Sequence, residues 1–373
     1  MKITDVKTFK VNTGRQNWLF VKVICDNGLY GWGEASVEGQ ELSAEDCIHL
    51  LANRSVIGED PTDINKIWRQ MYHHGFWKGG FIHMTAISGI DQALWDLNGK
   101  IYGVPTYKLL GGAEKTKIRT YTHSFGMTAE DSAKDAAYCV NELGFAGVKC
   151  ASRELNKIEG FDALLAATRE AIGPDKALMQ DVHGRCNAAE GIERCKVAAK
   201  YNPYFLEEVC PPENYKEYLA VRRNAYSVPL AAGERTYNRW DARPYFEDQC
   251  IDYYQPDICH CGGISEIKLL ANMAEVYHIK FAPHNPNGPV ATAASIAVAA
   301  ACHNFAILEF ASKAVYARSD VYDMDLTARD GFFSLPTKPG LGIELNEEAF
   351  EKYPYVDTQY QTVYGEDGTI LEI

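Results

Sequence analysis

The sequence predicts an α/β protein built as a (β/α)8 TIM-like barrel with an α+β capping domain. From about residue 117, short apolar strands alternate eight times with amphipathic helices, which is typical of a parallel barrel. The residues before this point form strands followed by helices, which predicts a separate α+β unit. The length of 373 residues exceeds that of a usual single core, so a barrel with an accessory unit is expected.

The first residues predict a β-meander. Ile3–Val11 and Leu19–Cys25 are rich in residues that favour strands. Asp26-Asn27-Gly28 has the composition of a hairpin turn and leads into a third strand at Leu29–Trp32. Three helical patterns follow, at about 42–54, 63–74 and 84–101.

The barrel is predicted from eight strands with short connections. The predicted strands are Ile118–Tyr121, Gly147–Lys149, Ala177–Asp181, Phe205–Glu207, Leu230–Glu234, Tyr253–Gln255, Lys280–Ala282 and Ala306–Glu309. The predicted helices lie near 129–143, 157–172, 189–200, 213–223, 239–248, 264–277 and 291–301.

These patterns divide the chain into three segments. Residues 1–116 form the N-terminal part of the capping domain, and residues 117–320 form the barrel with the metal site. Residues 321–373 contain turn signals but no further repeat, so we expect them to return to the N-terminal unit and complete the capping domain.

Composition excludes several classes of partner. The net charge of −13 argues against nucleic acid and anionic membranes, because both require basic patches. There is no run of 18 apolar residues and no charged-then-apolar leader, so a membrane protein is not expected. Eleven cysteines, an odd number without a CxxC pair, indicate reduced thiols and a cytoplasmic location.

Ionisable residues stand at the ends of successive predicted strands. In such a barrel the active site forms at the carboxyl ends of the strands. Ionisable side chains are costly there unless they are paired or bound to a metal. The residues at these ends are Lys149, Asp181, Glu207, Glu234, Asp257, His284 and Glu309.

Three of these residues predict a metal site. Asp181, Glu207 and Glu234 lie on three neighbouring strands, where their like charges repel unless a cation is bound. An all-oxygen set favours a hard divalent ion, and Mg²⁺ is expected before Mn²⁺ or Ca²⁺.

Two histidines are candidate catalytic residues. Asp257 ends the strand before His284, and a carboxylate bonded to an imidazole suits a general base. His183 follows Asp181 by two residues, which would direct both side chains to one side if the strand continued. The alternatives are a structural histidine at 284 and a helix-capping loop histidine at 183.

Three further residues are candidate substrate ligands. Lys149 would add positive charge near a bound carboxylate, although a lysine at a strand end is often only solvated. Arg185 either holds a substrate carboxylate or supports a nearby loop. Glu309 either bonds a substrate oxygen or metal-bound water, or pairs with Lys149 or Arg235.

The ordered set of motifs resembles the enolase superfamily, in its mandelate racemase-like branch, and most of all its D-galactonate dehydratases. The resemblance spans nearly the whole chain. The motifs are Gly31-Trp32-Gly33-Glu34, Gly89–Asp96, Asp181-Val182-His183-Gly184-Arg185, Phe205-Leu206-Glu207-Glu208, Ala232-Gly233-Glu234-Arg235, Gln255-Pro256-Asp257, Gly262-Gly263-Ile264, Ala282-Pro283-His284 and Thr337-Lys338-Pro339-Gly340-Leu341-Gly342.

The resemblance implies a Mg²⁺-dependent dehydratase of a sugar acid, with D-galactonate as the first expectation. It implies that Asp181, Glu207 and Glu234 bind the metal. It further implies that His284, supported by Asp257, removes the C2 proton to give a metal-stabilised enediolate. His183 would then protonate the leaving 3-hydroxyl, and the product would be a 2-keto-3-deoxy acid.

Two departures from the family pattern bear on the substrate. The second strand has Lys149-Cys150-Ala151, without the second lysine of many racemases, which favours a dehydratase over an epimerase or racemase. Glu309 lies one place earlier than in galactonate dehydratases, so gluconate, xylonate, arabinonate, fuconate or an aldarate are alternatives. The specificity residues are expected in the loops Asn12–Trp18, Glu34–Gln40 and Tyr72–Gly80.

Other classes of protein are less well supported. Gly31-Trp32-Gly33 opens no helix, so the phosphate site of a dinucleotide-binding oxidoreductase is missing, and the HxH of a metal-dependent hydrolase barrel is absent. A non-enzymatic sugar-acid-binding barrel would leave the strand-end acids without a role. The family favours symmetric assemblies, so a homo-oligomer is expected.

Overall fold

The structure of the protein, a computed structural model, describes residues 1–152, 157–358, 363–364 and 367–371. The N-terminal unit is an antiparallel sheet in the order β1-β2-β3, covered by helices. Its strands are β1 (Ile3–Asn12), β2 (Asn17–Cys25) and β3 (Tyr30–Glu34), and its helices are α1 (Glu41–Leu51), α2 (Ile64–His73), α3 (Phe81–Tyr102) and α4 (Thr106–Leu109).

Two glycines of β3 allow helix α3 to pack directly on the sheet. A Cβ atom on Gly31 would lie 2.0 Å from the carbonyl oxygen of Ala93, and one on Gly33 would lie 1.9 Å from that of Gly89. Any side chain at either position would therefore push the helix away from the strand. This close approach explains why a Gly-x-Gly sequence leads into Glu34 at the end of the strand.

Eight parallel strands form the barrel, and their neighbours follow the chain order from β4 to β10. The last strand, β11, pairs with β4, and a parallel bridge between Phe281 and Phe305 joins β10 to the approach of β11. The strands are β4 (Lys117–Gly126), β5 (Gly147–Ser152), β6 (Ala177–Asp181), β7 (Phe205–Glu207), β8 (Leu230–Ala232), β9 (Tyr253–Tyr254), β10 (Lys280–Phe281) and β11 (Leu308–Phe310).

Helices follow the barrel strands and bury the outer face of the sheet, and a separate apolar cluster with Tyr121, Met179 and Phe205 fills the interior. The helices are α5 (Ala129–Asn141), α6 (Ile158–Ile172), α7 (Ala188–Ala198), α8 (Tyr215–Asn224), α9 (Arg239–Glu247), α10 (Gly263–Val276), α11 (Pro289–Ala300) and α12 (Ser312–Tyr316). The predicted (β/α)8 architecture with an α+β cap is therefore confirmed.

The C-terminal segment contacts both units. Strand β12 (Phe332–Ser334) pairs antiparallel with the first residues of β4, at the amino end of that barrel strand. Helix α13 (Glu347–Phe350) brings Phe350 against Phe9 and Phe20 of the cap sheet, with ring centroids 5.3 and 5.7 Å apart. A short hairpin of β13 (Val363–Tyr364) and β14 (Ile370–Leu371) follows.

The boundaries of the barrel strands agree with the predicted ones to within a few residues. The first strand differs most, because β4 continues five residues beyond the predicted end at Tyr121. All eleven cysteines are free. Among the described residues, no helix combines the length and the apolar character needed to span a bilayer.

Candidate active site

A cavity of about 930 Å³ lies at the carboxyl ends of the barrel strands, under the cap. Its volume is within the range of small-molecule sites. Barrel side chains form one wall, and two segments of the cap form the other. The lining includes Arg15, Gln16, Ser36 and Glu38 from the cap and Lys149, Asp181, His183, Arg185, Glu234, His260 and His284 from the barrel.

Two of the predicted metal ligands, Asp181 and Glu207, contact Lys149, and the third, Glu234, lies beside Glu207. Asp181 and Glu207 are paired in register on β6 and β7, and both are buried. Lys149 Nζ lies 3.2 Å from Asp181 Oδ2 and 3.0 Å from Glu207 Oε1. Glu234 follows β8 and places a carboxylate oxygen within 4.8 Å of the ligand atoms of Glu207 and His284. The three residues predicted to share a site are therefore neighbours in the structure.

The electrostatics of this cluster fit a divalent cation. Burial and the neighbouring Asp181 carboxylate raise the pKa of Glu207 well above its usual value, although Lys149 lowers it. Burial and Glu208 raise the pKa of Glu234 to about 7. The Oε2 atom of Glu207 is buried and has no hydrogen-bond partner among the described residues. A hard cation would offset this repulsion and engage that oxygen, so these carboxylates fit Mg²⁺.

The three predicted metal ligands are not equally close to one another. The set whose atoms lie within 4.8 Å of one another is Glu207, Glu234 and His284. Asp181 instead accepts a hydrogen bond from the backbone N–H of His183 at 2.8 Å and lies 3.1 Å from its imidazole. Glu207 and Glu234 are therefore the central pair, and Asp181 links them to His183.

His284 is held by a buried carboxylate. Its Nδ1 lies 2.7 Å from Asp257 Oδ2, and its Nε2 lies 3.2 Å from Glu234 Oε2. Asp257 is fully buried and also accepts hydrogen bonds from Asn287 Nδ2 and from the backbone N–H of Cys259. Burial alone would lower the pKa of His284, but the carboxylates of Glu234 and Asp257 raise it well above its usual value.

His183 lies in a turn beyond the end of β6. The strand ends at Asp181, as predicted, and His183 has a φ of +53°, so the strand does not continue to His183. The turn nevertheless returns the imidazole to Asp181, whose carboxylate raises the pKa of His183. His183 and His284 both line the cavity, as predicted from their positions.

Glu309 is fully buried beneath two basic side chains. Its Oε1 lies 2.7 Å from Lys149 Nζ and 2.6 Å from His123 Nε2, and its Oε2 accepts the backbone N–H of Asn285. The predicted pairing with Lys149 is therefore present. Arg185 lies on the cavity wall.

His123 and His260 also line the cavity and were not predicted from the sequence. His123 stands on β4 beyond its predicted end, in register with Lys149, so a longer first strand would have included it among the strand-end residues. His260 lies three residues after Asp257 and bonds Thr85 Oγ1 of the cap at 2.8 Å. No local signal distinguished it from a structural histidine.

Two of the three predicted specificity loops reach the cavity. Residues from the segments Asn12–Trp18 and Glu34–Gln40 line it. No described residue of Tyr72–Gly80 does so, and Tyr72 instead stacks on Trp68 and Trp240, with ring centroids 5.2 and 5.5 Å away. The cavity therefore gives no support to a role of this third loop in specificity, since Tyr72 is buried against these tryptophans and Phe76 and Trp77 are exposed.

Comparisons with known proteins agree with this architecture. Residues 3–111 match the mandelate racemase / muconate lactonizing enzyme N-terminal domain, and residues 131–349 match the enolase C-terminal domain-like family. An enolase from Agrobacterium radiobacter, provisionally named a galactarate dehydratase and crystallised with sodium and L-malate, is similar over all of both chains, with 29% identity and a TM-score of 0.91.

Two further solved structures extend the comparison. A member of the enolase superfamily from Salmonella Typhimurium shares 31% identity over 95% of this chain and 98% of its own, with a TM-score of 0.88. A provisionally named dehydratase from Zymomonas mobilis ZM4 shares 30% identity over the same fractions, with a TM-score of 0.89. The chain therefore belongs to the enolase superfamily, in its mandelate racemase-like branch.

Proposed function

We propose that this chain is a Mg²⁺-dependent dehydratase of a sugar acid that removes the C2 proton and the 3-hydroxyl to give a 2-keto-3-deoxy acid. One observation carries the proposal: two imidazoles, His284 bonded to Asp257 and His183 beside Asp181, line the same cavity as an acidic cluster. Removing a proton and protonating a leaving hydroxyl require two such groups on one substrate.

Each residue has a definite role in this reaction. Asp181, Glu207 and Glu234 would hold the metal, and bound Mg²⁺ supplies positive charge to the substrate carboxylate as its α-carbon becomes acidic. His284 Nε2 accepts the C2 proton, while Asp257 fixes the tautomer through Nδ1.

His183 completes the elimination. The electron pair left at C2 forms the C2–C3 double bond, the C3–O bond breaks, and His183 donates its proton to the departing hydroxyl. One water is lost, and the enol product tautomerises to the 2-keto acid.

We assign substrate binding to Lys149, Arg185 and Glu309 with different roles. Lys149 and Arg185 line the cavity and are suited to an anionic substrate. Glu309 is buried behind Lys149, so we propose that it acts through that lysine and through His123.

The direct test is to incubate the Mg²⁺-loaded protein with a panel of aldonic and aldaric acids and to measure formation of a 2-keto acid. D-Galactonate comes first, and aldarates are included because the Agrobacterium radiobacter protein carries a galactarate dehydratase name. Activity should disappear on chelation and return with Mg²⁺. Full turnover after exhaustive chelation, or no 2-keto acid from any substrate, would reject the proposal.

An epimerase is the second candidate function, because two imidazoles in one cavity could also exchange the proton at a single carbon. The two reactions are separated by the product. Epimerisation retains the water and gives a stereoisomer of the substrate, whereas dehydration gives a product lighter by one water.

A further inference from the structure

An ion pair between Arg235 and Glu208 lies beside the turn that carries His183, and both residues line the cavity. The Glu208 side chain is buried, whereas 34% of the Arg235 side chain is exposed. The Nε atom of Arg235 lies 3.1 Å from both carboxylate oxygens of Glu208, and its Nη2 lies 2.5 Å from Oε2. The same Nη2 atom donates a hydrogen bond to the backbone carbonyl of His183 at 3.2 Å. One guanidinium therefore joins the loops that follow three consecutive barrel strands, β6, β7 and β8.

The backbone of these loops adopts a conformation that needs support. His183 and Glu208 have φ values of +53° and +42°, which side-chain-bearing residues rarely adopt. The backbone N–H of Gly184 donates to the carbonyl of Glu208 at 2.7 Å, so the two strained turns are also bonded to each other. Such conformations persist only where surrounding contacts hold them.

Gly184 allows the guanidinium to reach the turn. Its φ is +67°, and a Cβ atom at this position would lie 2.6 Å from Arg235 Nη2. The glycine therefore serves both the backbone conformation and the access of the arginine.

The imidazole of His183 depends on this backbone. Its side chain is 47% exposed, whereas that of His284 is 15% exposed. Its Nε2 lies 3.1 Å from Asp181 Oδ2, so a small rotation of the turn would change the direction in which the ring faces the cavity.

We propose that Arg235 and Glu208 are positioning residues for His183, which hold its backbone so that the imidazole faces the substrate, an inference that rests on the proposed function. Glu208 fixes the guanidinium, and the guanidinium fixes the carbonyl of residue 183. The pair acts on the acid and leaves the base, His284, unchanged.

The chain offers a matched control in a second pair of the same chemistry. Arg239 places Nε 2.8 Å from Glu266 Oε1 and Nη2 against Oε2, and the Glu266 side chain is 1% exposed, as is that of Glu208. This second pair makes no described contact with His183. The variants to compare are therefore Arg235→Lys and Arg239→Lys, because lysine keeps the charge but cannot form the forked set of bonds.

Three measurements are made on each folded, Mg²⁺-loaded variant: the rate of water loss, the rate of C2 deuterium exchange in deuterated water, and the NMR signal of the His183 ring. Arg235→Lys should lower water loss about 10- to 100-fold, retain exchange, and move the His183 signal but not that of His284. Arg239→Lys should change none of the three. In a His183→Asn background, Arg235→Lys should have no further effect on water loss.

Three outcomes would overturn the inference. In the first, Arg235→Lys leaves both the His183 signal and the rate of water loss unchanged; in the second, it lowers water loss and C2 exchange equally. In the third, it raises KM with unchanged kcat, which would make Arg235 a substrate ligand. If Arg235→Lys does not fold, Glu208→Gln is measured in the same way, with Glu266→Gln as its control. If the wild-type protein removes water from no acid, the proposed function fails, and the NMR signal still decides the positioning role.

Discussion

The two imidazoles that we propose to be catalytic, His183 and His284, are held in different ways. His284 is fixed through its side chain, because its Nδ1 bonds a carboxylate that is itself fully buried. His183 is fixed through its backbone, because its carbonyl is bonded by Arg235 while almost half of its side chain is exposed.

The difference fits the two proposed tasks. A base that removes a weakly acidic C–H proton needs a fixed tautomer and direction, which a buried carboxylate provides. An acid that protonates a departing hydroxyl must lie within hydrogen-bond reach of that oxygen, and a fixed turn holds the His183 ring at the cavity. Each histidine, and each residue that holds it, can therefore be tested by measuring whether its loss affects removal of the C2 proton or loss of the 3-hydroxyl.

Loss of the base should have the largest effect. His284→Asn removes the proton acceptor, so water loss and C2 deuterium exchange should both fall by about 10⁴-fold. Product formation and NMR detection of deuterium measure the two rates. Exchange at the wild-type rate in the folded variant would show that another residue is the base.

Loss of the acid should separate the two rates. In His183→Asn, water loss should fall by about 10²- to 10⁴-fold, while His284 still exchanges the C2 proton with solvent. The substrate recovered from deuterated water should then carry deuterium at C2 and retain its 3-hydroxyl. A folded, Mg²⁺-loaded variant with nearly normal turnover would make His183 a structural loop residue.

Loss of the carboxylate behind the base should be smaller and should not separate the rates. Asp257→Asn keeps the size of the side chain but weakens its bond to His284, so both rates should fall together by roughly 10- to 100-fold. If Asp257→Asn lowered only the rate of water loss, the assignment would be wrong, because Asp257 would then support the acid, His183, and not the base.

The smallest effect is expected on stability, at Glu34, which connects the cap to the barrel segment that follows His284. Glu34 accepts hydrogen bonds from Ser36 and from the backbone N–H groups of Gly288 and Ala291, just after the loop of His284. Burial raises the pKa of Glu34 from 4.5 to about 7, although these bonds lower it. Because the folded state binds the proton more tightly, this group lowers stability as the pH rises through that window.

Glu34→Gln should remove this contribution. Between pH 4.5 and 7 the melting temperature of the wild-type protein should fall by about 4 °C more than that of the variant. All other titrating groups are shared, so the difference isolates Glu34. Parallel curves for the two proteins would show that the pKa of Glu34 is the same in the folded and unfolded states.

The features that could be predicted from the sequence are those marked by a pattern of neighbouring residues. The bounds predicted for β6 and β7 match those observed, because each is a short apolar run ended by an acid. Closing the barrel then brings Asp181 and Glu207 together, since both end strands that are neighbours in the sheet. The pairing of Asp257 with His284 followed in the same way.

The rest depends on contacts between distant residues or on turns. Strand β12 is only three residues long and pairs with residues more than 200 positions earlier, so no local pattern marked it. The turn at His183 was not predicted, because left-handed backbone at a histidine has no signature in the sequence. The bond from Arg235 to that turn could not be predicted without it.

The cap loop over the cavity is also tied to residues that the ribosome makes much later. Asn17 bonds both the carbonyl and the N–H of Val356, at 2.9 and 3.2 Å, and the N–H of Asn12 bonds the carbonyl of Tyr353. At about 5–20 residues per second, Val356 is synthesised roughly 20–70 s after Asn17. A nascent chain with a complete barrel therefore already contains this loop but still lacks the residues that hold it over the cavity.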